Sequence, residues 1–275
     1  MRTDHWIITA SLALKKSGVP TAHLDAMVLL GDATNQDKGW LLAHPESLLS
    51  PKQLAELQKS LQRRSNHEPL AYIRGKSEFF GHEFAVDKRV MEPRPETEDM
   101  VELLVEQCQQ LEETALIVDV GTGSGALAIS AKLALPQADV YALDVSADCL
   151  AVAQDNATRL RADIRLIESD LLARWNKNKT AITAILANLP YVPNDYPLNK
   201  AATYEPRLAI FGGTDGLDVY RRLFDQIEGL SRPPRLVLCE SLELSHEALT
   251  LVAGVAGYRL ETTRGLVQLF GRIEA

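Results

Sequence analysis

Apolar residues recur at helical spacing through roughly the first 65 positions of the chain. LDAMVLL (24–30) and LAELQKSLQRR (54–64) repeat leucine or alanine every three or four residues, the spacing that lines one face of a helix. Asp4 and Thr21 stand where N-caps would. Ser50 before Pro51 is a firmer start, because the serine can cap and a proline at the first helical position has no N–H to lose. The texture then changes. EFFGHEFAVD (78–87) alternates about Gly81 like a hairpin, and MEPRPETEDM (91–100) sets two prolines around Arg94 before an acidic helix start. A boundary therefore falls between residues 66 and 90.

Beyond residue 115 short apolar runs alternate with helical ones. LIVDV (116–120), DVYALD (139–144), IRLIE (164–168), ITAILAN (182–188) and RLVLCE (235–240) read as strands. SGALAISAKLAL (124–135), SADCLAVAQDNATRL (146–160, capped by Ser146) and GLDVYRRLFDQIEGL (216–230) read as helices. This order predicts parallel βαβ units in an open sheet. WNKNKT (175–180) reads as a polar connection, and no internal repeat interrupts the pattern.

Composition narrows the setting. A chain of 275 residues, 46% hydrophobic and 24% charged, has room for one large soluble domain, or a modest one with a small helper. No apolar run nears the roughly 20 residues of a membrane helix, and MRTDHWIITA lacks the apolar core and cleavage site of a secretory leader. Cys108, Cys149 and Cys239 lie far apart with no CxxC pair. That disfavours a disulfide framework or structural zinc, and a cytoplasmic location is expected. The six histidines show no metal-ligand spacing, so no metal is expected. The net charge of −8 resides beyond residue 70: the first 70 residues hold 8 Lys/Arg and 7 Asp/Glu, the rest 21 and 30. No basic stripe marks a nucleic-acid partner.

Chemistry concentrates at two strand ends. VDVGTGSGA joins a strand to a helix through Gly121, Gly123 and Gly125, with Thr122 and Ser124 between them. Such a loop lets a ligand approach bare backbone, with helix N–H groups aimed at it. Gly121, Gly123 and Ala126 satisfy the dinucleotide pattern, and Asp144, ending the next strand, suits ribose hydroxyls of either NAD or S-adenosylmethionine. Asp119 favours the latter. A buried acid there is costly unless it answers a donor or a cation, and S-adenosylmethionine carries an ammonium; a structural role bonding loop amides is the alternative. The second end is ILANLPYVP (185–193), where an apolar strand stops in Asn188, Leu189, Pro190 and Tyr191. An amide, a fixed turn and an aromatic ring serve a site that grips a flat amide or amino group.

The fourth-strand end resembles that of class I methyltransferases acting on planar nitrogens, which end in (N/D)PP(Y/F). HEPLAYIRGKSEFFGHEF, PRPETE, VDVGTGSGA, ANLPYV and EPRLAIFGGTDGLDVYRRL, in that order, resemble the release-factor glutamine methyltransferases of the HemK/PrmC family over essentially the whole chain. The resemblance implies an α/β fold: a seven-stranded, mostly parallel Rossmann-like methyltransferase sheet with a small helical N-terminal domain and a linking β-hairpin. Carried onto this sequence, residues 1–70 form the helical domain that recognises the substrate protein, 71–92 the hairpin, and 93–275 the S-adenosylmethionine-dependent domain. Asp119, Gly121, Thr122, Gly123, Ser124, Gly125, Asp144, Leu171 and Asn188 would hold the cofactor. Asn188, Leu189, Pro190 and Tyr191 would hold the glutamine of a release factor's Gly-Gly-Gln motif and carry the transfer, leaving S-adenosylhomocysteine. The implied partner is a release factor met by a monomer, with no membrane and no metal.

Such residue types make chemical sense. The Asn188 side-chain oxygen and the carbonyl of residue 189 can each accept one N–H of a carboxamide, aiming its nitrogen at the sulfonium methyl. Orientation of this kind is worth about 7–11 kcal/mol. Two departures stand out: Leu189 where the family usually has proline, and CESLELS where it tends to keep a glycine. NLPY also occurs in enzymes that dimethylate adenine N6, so an adenine acceptor, or a ribosomal-protein glutamine, is an alternative. A NAD-dependent oxidoreductase or a cofactor-binding relative without activity are others. PRPETE is either a loop over the ligand or an ordinary helix start, and EPRLAIFGG (205–213) either a pocket wall or a connection.

Overall fold

The structure, a computed structural model, describes residues 1–109, 114–175 and 181–273. Two compact units emerge: Met1–Lys76 with Leu198–Tyr204, and Ser77–Pro197 with Glu205–Ala275.

The first unit is built of α1 (Thr3–Lys16), α2 (Ala22–Thr34), α3 (Lys38–Ala43), α4 (Pro51–Ser65) and α5 (Leu70–Arg74). Trp6, Ala10 and Leu14 of α1 meet Ala26, Leu29 and Leu30 of α2 in its core, joined by Leu57 of α4. Ser50 and Gln53 close a reciprocal capping box at the start of α4. Asp4, expected as a cap, is not one. Arg2 holds the cap position in extended backbone, and Asp4 sits in the first turn, where a carboxylate still suits the helix dipole. Thr21 occupies the cap position of α2 without a side-chain bond.

A hairpin follows, β1 (Lys76–Phe79) and β2 (His82–Ala85), turning at Phe80 and Gly81; all of it from Ser77 on belongs to the second unit. Both turn residues have positive φ, 47° and 72°, as a tight two-residue turn requires. A short 3₁₀ turn, Pro95–Thr97, leads into α6 (Glu98–Cys108). There follow β3 (Leu116–Val120), α7 (Ala126–Ala134), β4 (Asp139–Asp144), α8 (Ala147–Leu160), β5 (Arg165–Glu168), β6 (Ala184–Ala187), α9 (Arg207–Ile210), α10 (Asp218–Glu228), β7 (Leu236–Glu240), α11 (His246–Val255), β8 (Tyr258–Arg264) and β9 (Val267–Arg272). The seven-stranded sheet runs β5-β4-β3-β6-β7-β9-β8, parallel through β7 and antiparallel at β9 and β8. Alternation along β3 divides the core. Ile117 faces the layer of α6 and α7, while Leu116, Val118 and Val120 face that of α10 and α11. The inner strands β3, β4, β6 and β7 are buried on both sides, hence their near-continuous apolar sequence.

The seven-stranded, mostly parallel Rossmann-like fold is as the sequence implies. The final α11–β8–β9 segment was not legible in the hydrophobic pattern. Most of WNKNKT lies outside the described residues. Among the described residues, no helix is long and apolar enough to cross a membrane.

Candidate active site

The carboxyl ends of β3, β4, β5 and β6 converge on a cavity of about 250 Å³. The loop after β3 forms one side. Gly121 has φ +77°, and a Cβ there would stand 2.9 Å from the Leu189 side chain, so the loop after β3 and the tip of β6 touch because residue 121 has no side chain. Gly121, Thr122, Gly123 and Ser124 line the cavity; Gly125 lies beneath, accepting the left-handed turn that starts α7.

Asp119 lies under this loop rather than on the cavity wall. Its Oδ2 accepts from Thr122 Oγ1 at 2.6 Å and from the Ala128 N–H at 3.2 Å, while Oδ1 is buried without a partner among the described residues. Burial pushes the carboxyl up to about 7, against the pull of Thr122 and Ala128. Asp144 does line the cavity. Its two oxygens take the N–H groups of Gly123 and Ser146, each at 2.9 Å, and each oxygen keeps further acceptor capacity. Burial raises this carboxyl too, with the Ser146 and Gly123 amides opposing. Leu171, also in the lining, holds a left-handed φ of +51°, uncommon for a branched side chain and the kind of strain found at ligand clamps.

Asn188, Leu189 and Pro190 form the cavity's far side. Asn188 Nδ2 donates to Thr97 Oγ1 at 3.0 Å, and Asn188 Oδ1 is buried with no partner among the described residues. Leu189 donates its N–H to the Tyr220 hydroxyl at 3.3 Å. Tyr191 is half-buried behind the lining and donates its hydroxyl to Glu240 Oε1 at 2.9 Å. Glu240 Oε2 has no hydrogen-bond partner among the described residues, and burial raises this carboxyl, while the Thr97 and Tyr191 hydroxyls favour its charged form.

The backbone after Asn188 is stitched to the segment that follows Glu205. Val192 and residues 210–212 exchange two bonds of 2.9 Å, and Gly212 must be glycine because a Cβ would meet the Pro190 carbonyl at 2.3 Å. EPRLAIFGG thus supplies a wall, with Pro206, Leu208, Ala209 and Phe211 in the lining. PRPETE is both a helix start and part of the site, through Pro93 and Thr97. Thr97, Tyr220 and Glu240 escaped the sequence reading. Glu240 left a signal, an acid ending an apolar strand as Asp144 does; Thr97 and Tyr220 left none.

Comparison with known proteins agrees with this layout. Residues 5–75 match the PrmC N-terminal domain and residues 96–201 the methyltransferase small domain. The release factor glutamine methyltransferase of Moorella thermoacetica is 39% identical over 253 residues, covering 90% of this chain and 88% of its own length. That of Deinococcus radiodurans is 32% identical, with 95% and 93% covered. Among solved structures, the hMettl16 catalytic domain in complex with an RNA hairpin superposes with a TM-score of 0.55 at 15% identity, covering 82% of this chain and 83% of its own. The ribosomal protein L11 methylase of Lactobacillus delbrueckii gives 0.50 at 20%, covering 69% and 84%. These two share the fold alone. The identities, spread over both units, carry more: the chain is a methyltransferase and belongs to the release factor glutamine methyltransferase family.

Proposed function

We propose that the chain transfers a methyl group from S-adenosylmethionine to the side-chain amide nitrogen of the glutamine in the Gly-Gly-Gln motif of peptide chain release factors. One observation carries the reading: Asn188 Oδ1, at the end of the strand beside the glycine loop, is buried without a hydrogen-bond donor among the described residues. Leaving such an acceptor unsatisfied costs about 1–3 kcal/mol, a cost that a substrate N–H would remove.

The residues present fit the cofactor. Asp119 Oδ1 is a second buried acceptor without a partner, suited to a cationic group, and Asp144 retains acceptor capacity for ribose hydroxyls. Gly121 to Ser124 and Leu171 would enclose it. When bound, S-adenosylmethionine would supply an electrophilic methyl carbon on a sulfonium, its C–S bond breaking as the N–C bond forms, and the amide nitrogen would lose one proton to solvent. The chain's own part is orientation. Asn188 Oδ1 and the Leu189 carbonyl, to which no described residue donates, each accept one N–H of the carboxamide and turn its nitrogen towards the methyl. Tyr191 packs on the flat group while Glu240 holds its hydroxyl. An amide nitrogen is a poor nucleophile, so holding it in line is the main help available. The helical residues 1–70 recognise the release factor, and the protein works as a cytoplasmic monomer.

Mass spectrometry after incubation with labelled S-adenosylmethionine tests this. Label on the Gly-Gly-Gln glutamine is the expected result. Label on a ribosomal-protein glutamine or on adenine would replace the substrate, and cofactor binding without label would remove the activity.

A further inference from the structure

Leu189 precedes Pro190 at the tip of β6, and the structure contains a group that holds its peptide. A leucine has an N–H that proline lacks, and its φ is not locked by a ring. In this chain that N–H is taken by the hydroxyl of Tyr220, at 3.3 Å, and both residues are buried. Tyr220 reaches this point because Tyr220, Leu223, Phe224 and Ile227 form the buried stripe of α10 against the sheet. Its oxygen also lies 2.9 Å from the Ala187 carbonyl, at the end of β6, and within hydrogen-bond reach of the Glu240 carbonyl, at the end of β7. With one proton, the hydroxyl donates to one of these carbonyls at a time while accepting from Leu189. It thus joins the ends of two strands to the backbone of residue 189.

We propose that Tyr220 is a positioning residue for methyl transfer: its hydroxyl fixes the Leu189 peptide and so aims the Leu189 carbonyl at the substrate amide. The ring of a proline would serve the same end by covalent means. This rests on the role given above to the Leu189 carbonyl.

The test is a double-mutant cycle with Tyr220→Phe and Leu189→Pro, reading kcat and KM on a Gly-Gly-Gln substrate, cofactor Kd, melting temperature, and hydrogen exchange at the Leu189 amide. Tyr220→Phe is expected to speed Leu189 exchange and lower kcat about 5- to 20-fold, with cofactor Kd within about twofold. In the Leu189→Pro background, the same change is expected to lower kcat less than about threefold. Equal losses of kcat in both backgrounds, or a fall in melting temperature with kcat intact, would overturn the role. Should Tyr220→Phe not fold, hydrogen exchange at the Leu189 amide of the wild type decides: protection beyond that of unbonded amides of equal burial supports the bond the proposal needs, and exchange at their rate overturns it. A wild type that methylates no glutamine overturns the underlying reading and the role with it, while Leu189 exchange still reports whether the bond exists.

Discussion

Asn188 gives its amide N–H to Thr97 across 3.0 Å, and in doing so turns its own oxygen into a buried position with no donor. Thr97 comes from the 3₁₀ turn before α6 and Asn188 from the end of β6, 91 residues apart in sequence. The threonine therefore decides which way the asparagine faces. Thr97→Val keeps the shape and removes the acceptor. Loss of one buried hydrogen-bond partner costs roughly 1–3 kcal/mol, so kcat on the glutamine substrate is expected to drop about 5- to 100-fold with cofactor affinity little changed. Asn188→Ala is expected to abolish transfer. Calorimetric cofactor titration beside steady-state rates separates the effects, and a Thr97→Val enzyme at full rate would refute the positioning.

Asp119 is expected to make stability depend on pH, and cofactor binding as well if it answers the cofactor's ammonium. Its carboxyl rests at about 7 in the folded chain against 3.8 as the ordinary value, chiefly through burial. Between those values the folded chain holds a proton that the unfolded chain has released. Stability is then full below about pH 4 and falls as pH rises towards 7, by roughly 1.4 kcal/mol for each unit of the raised pKa. Urea midpoints at pH 5 and pH 8 are expected to differ in wild type, and the difference to shrink in Asp119→Asn. Binding should run the other way. If a cofactor ammonium meets Oδ1, affinity rises as pH climbs through 7, and Asp119→Asn flattens the profile. An unchanged profile in that variant would remove the ammonium from Asp119.

The strand ends that carry chemistry were legible because each breaks an apolar run with a polar residue: Asp119, Asp144 and Asn188 all do so. Seven strands were expected through resemblance, whereas alternation alone located five. The last two, β8 and β9, are an antiparallel edge pair, and most of β8 is exposed and polar, so its pattern resembles a solvated loop. Thr97 and Tyr220 could not be read, since their value lies in what the fold brings to them. Thr97 looks like one polar residue among several in PRPETE, and Tyr220 like one more apolar position on α10. The Leu189 departure was visible, but its partner was not.

Gly121→Ala should report on the contact between the loop after β3 and the tip of β6. The residue sits at φ +77°, where an L side chain is strained by about 1–2 kcal/mol, and its new methyl would press on Leu189 Cδ2 at 2.9 Å. Leu189 is itself 3% exposed and cannot retreat into solvent. Cofactor affinity is expected to fall at least tenfold and kcat with it, with a smaller loss in melting temperature. Pairing Gly121→Ala with Leu189→Ala, which makes room for the methyl, should restore part of the binding. No restoration would mean that backbone strain alone sets the cost.

Arg94 and Glu205 hold the wall segment against the start of α6. Arg94 Nη2 lies 2.7 Å from both Glu205 oxygens. The glutamate side chain is 2% accessible and the arginine 38%. Burial raises the Glu205 carboxyl, and Arg94 is the main force drawing it back to the charged form. Removing the arginine strands a buried carboxylate, which costs about 3–5 kcal/mol for a fully buried pair. Because Arg94 is more than a third exposed, screening and water access reduce that, and Arg94→Ala is expected to lose about 1–3 kcal/mol in urea denaturation. Arg94→Ala with Glu205→Gln should recover much of it, since no charge is then stranded. The same single change should loosen Pro206, Leu208, Ala209 and Phe211, raising KM for the protein substrate more than it lowers kcat. If the single and double variants denature together, the pair is a surface contact without weight and the wall is held instead by its backbone bonds to Val192.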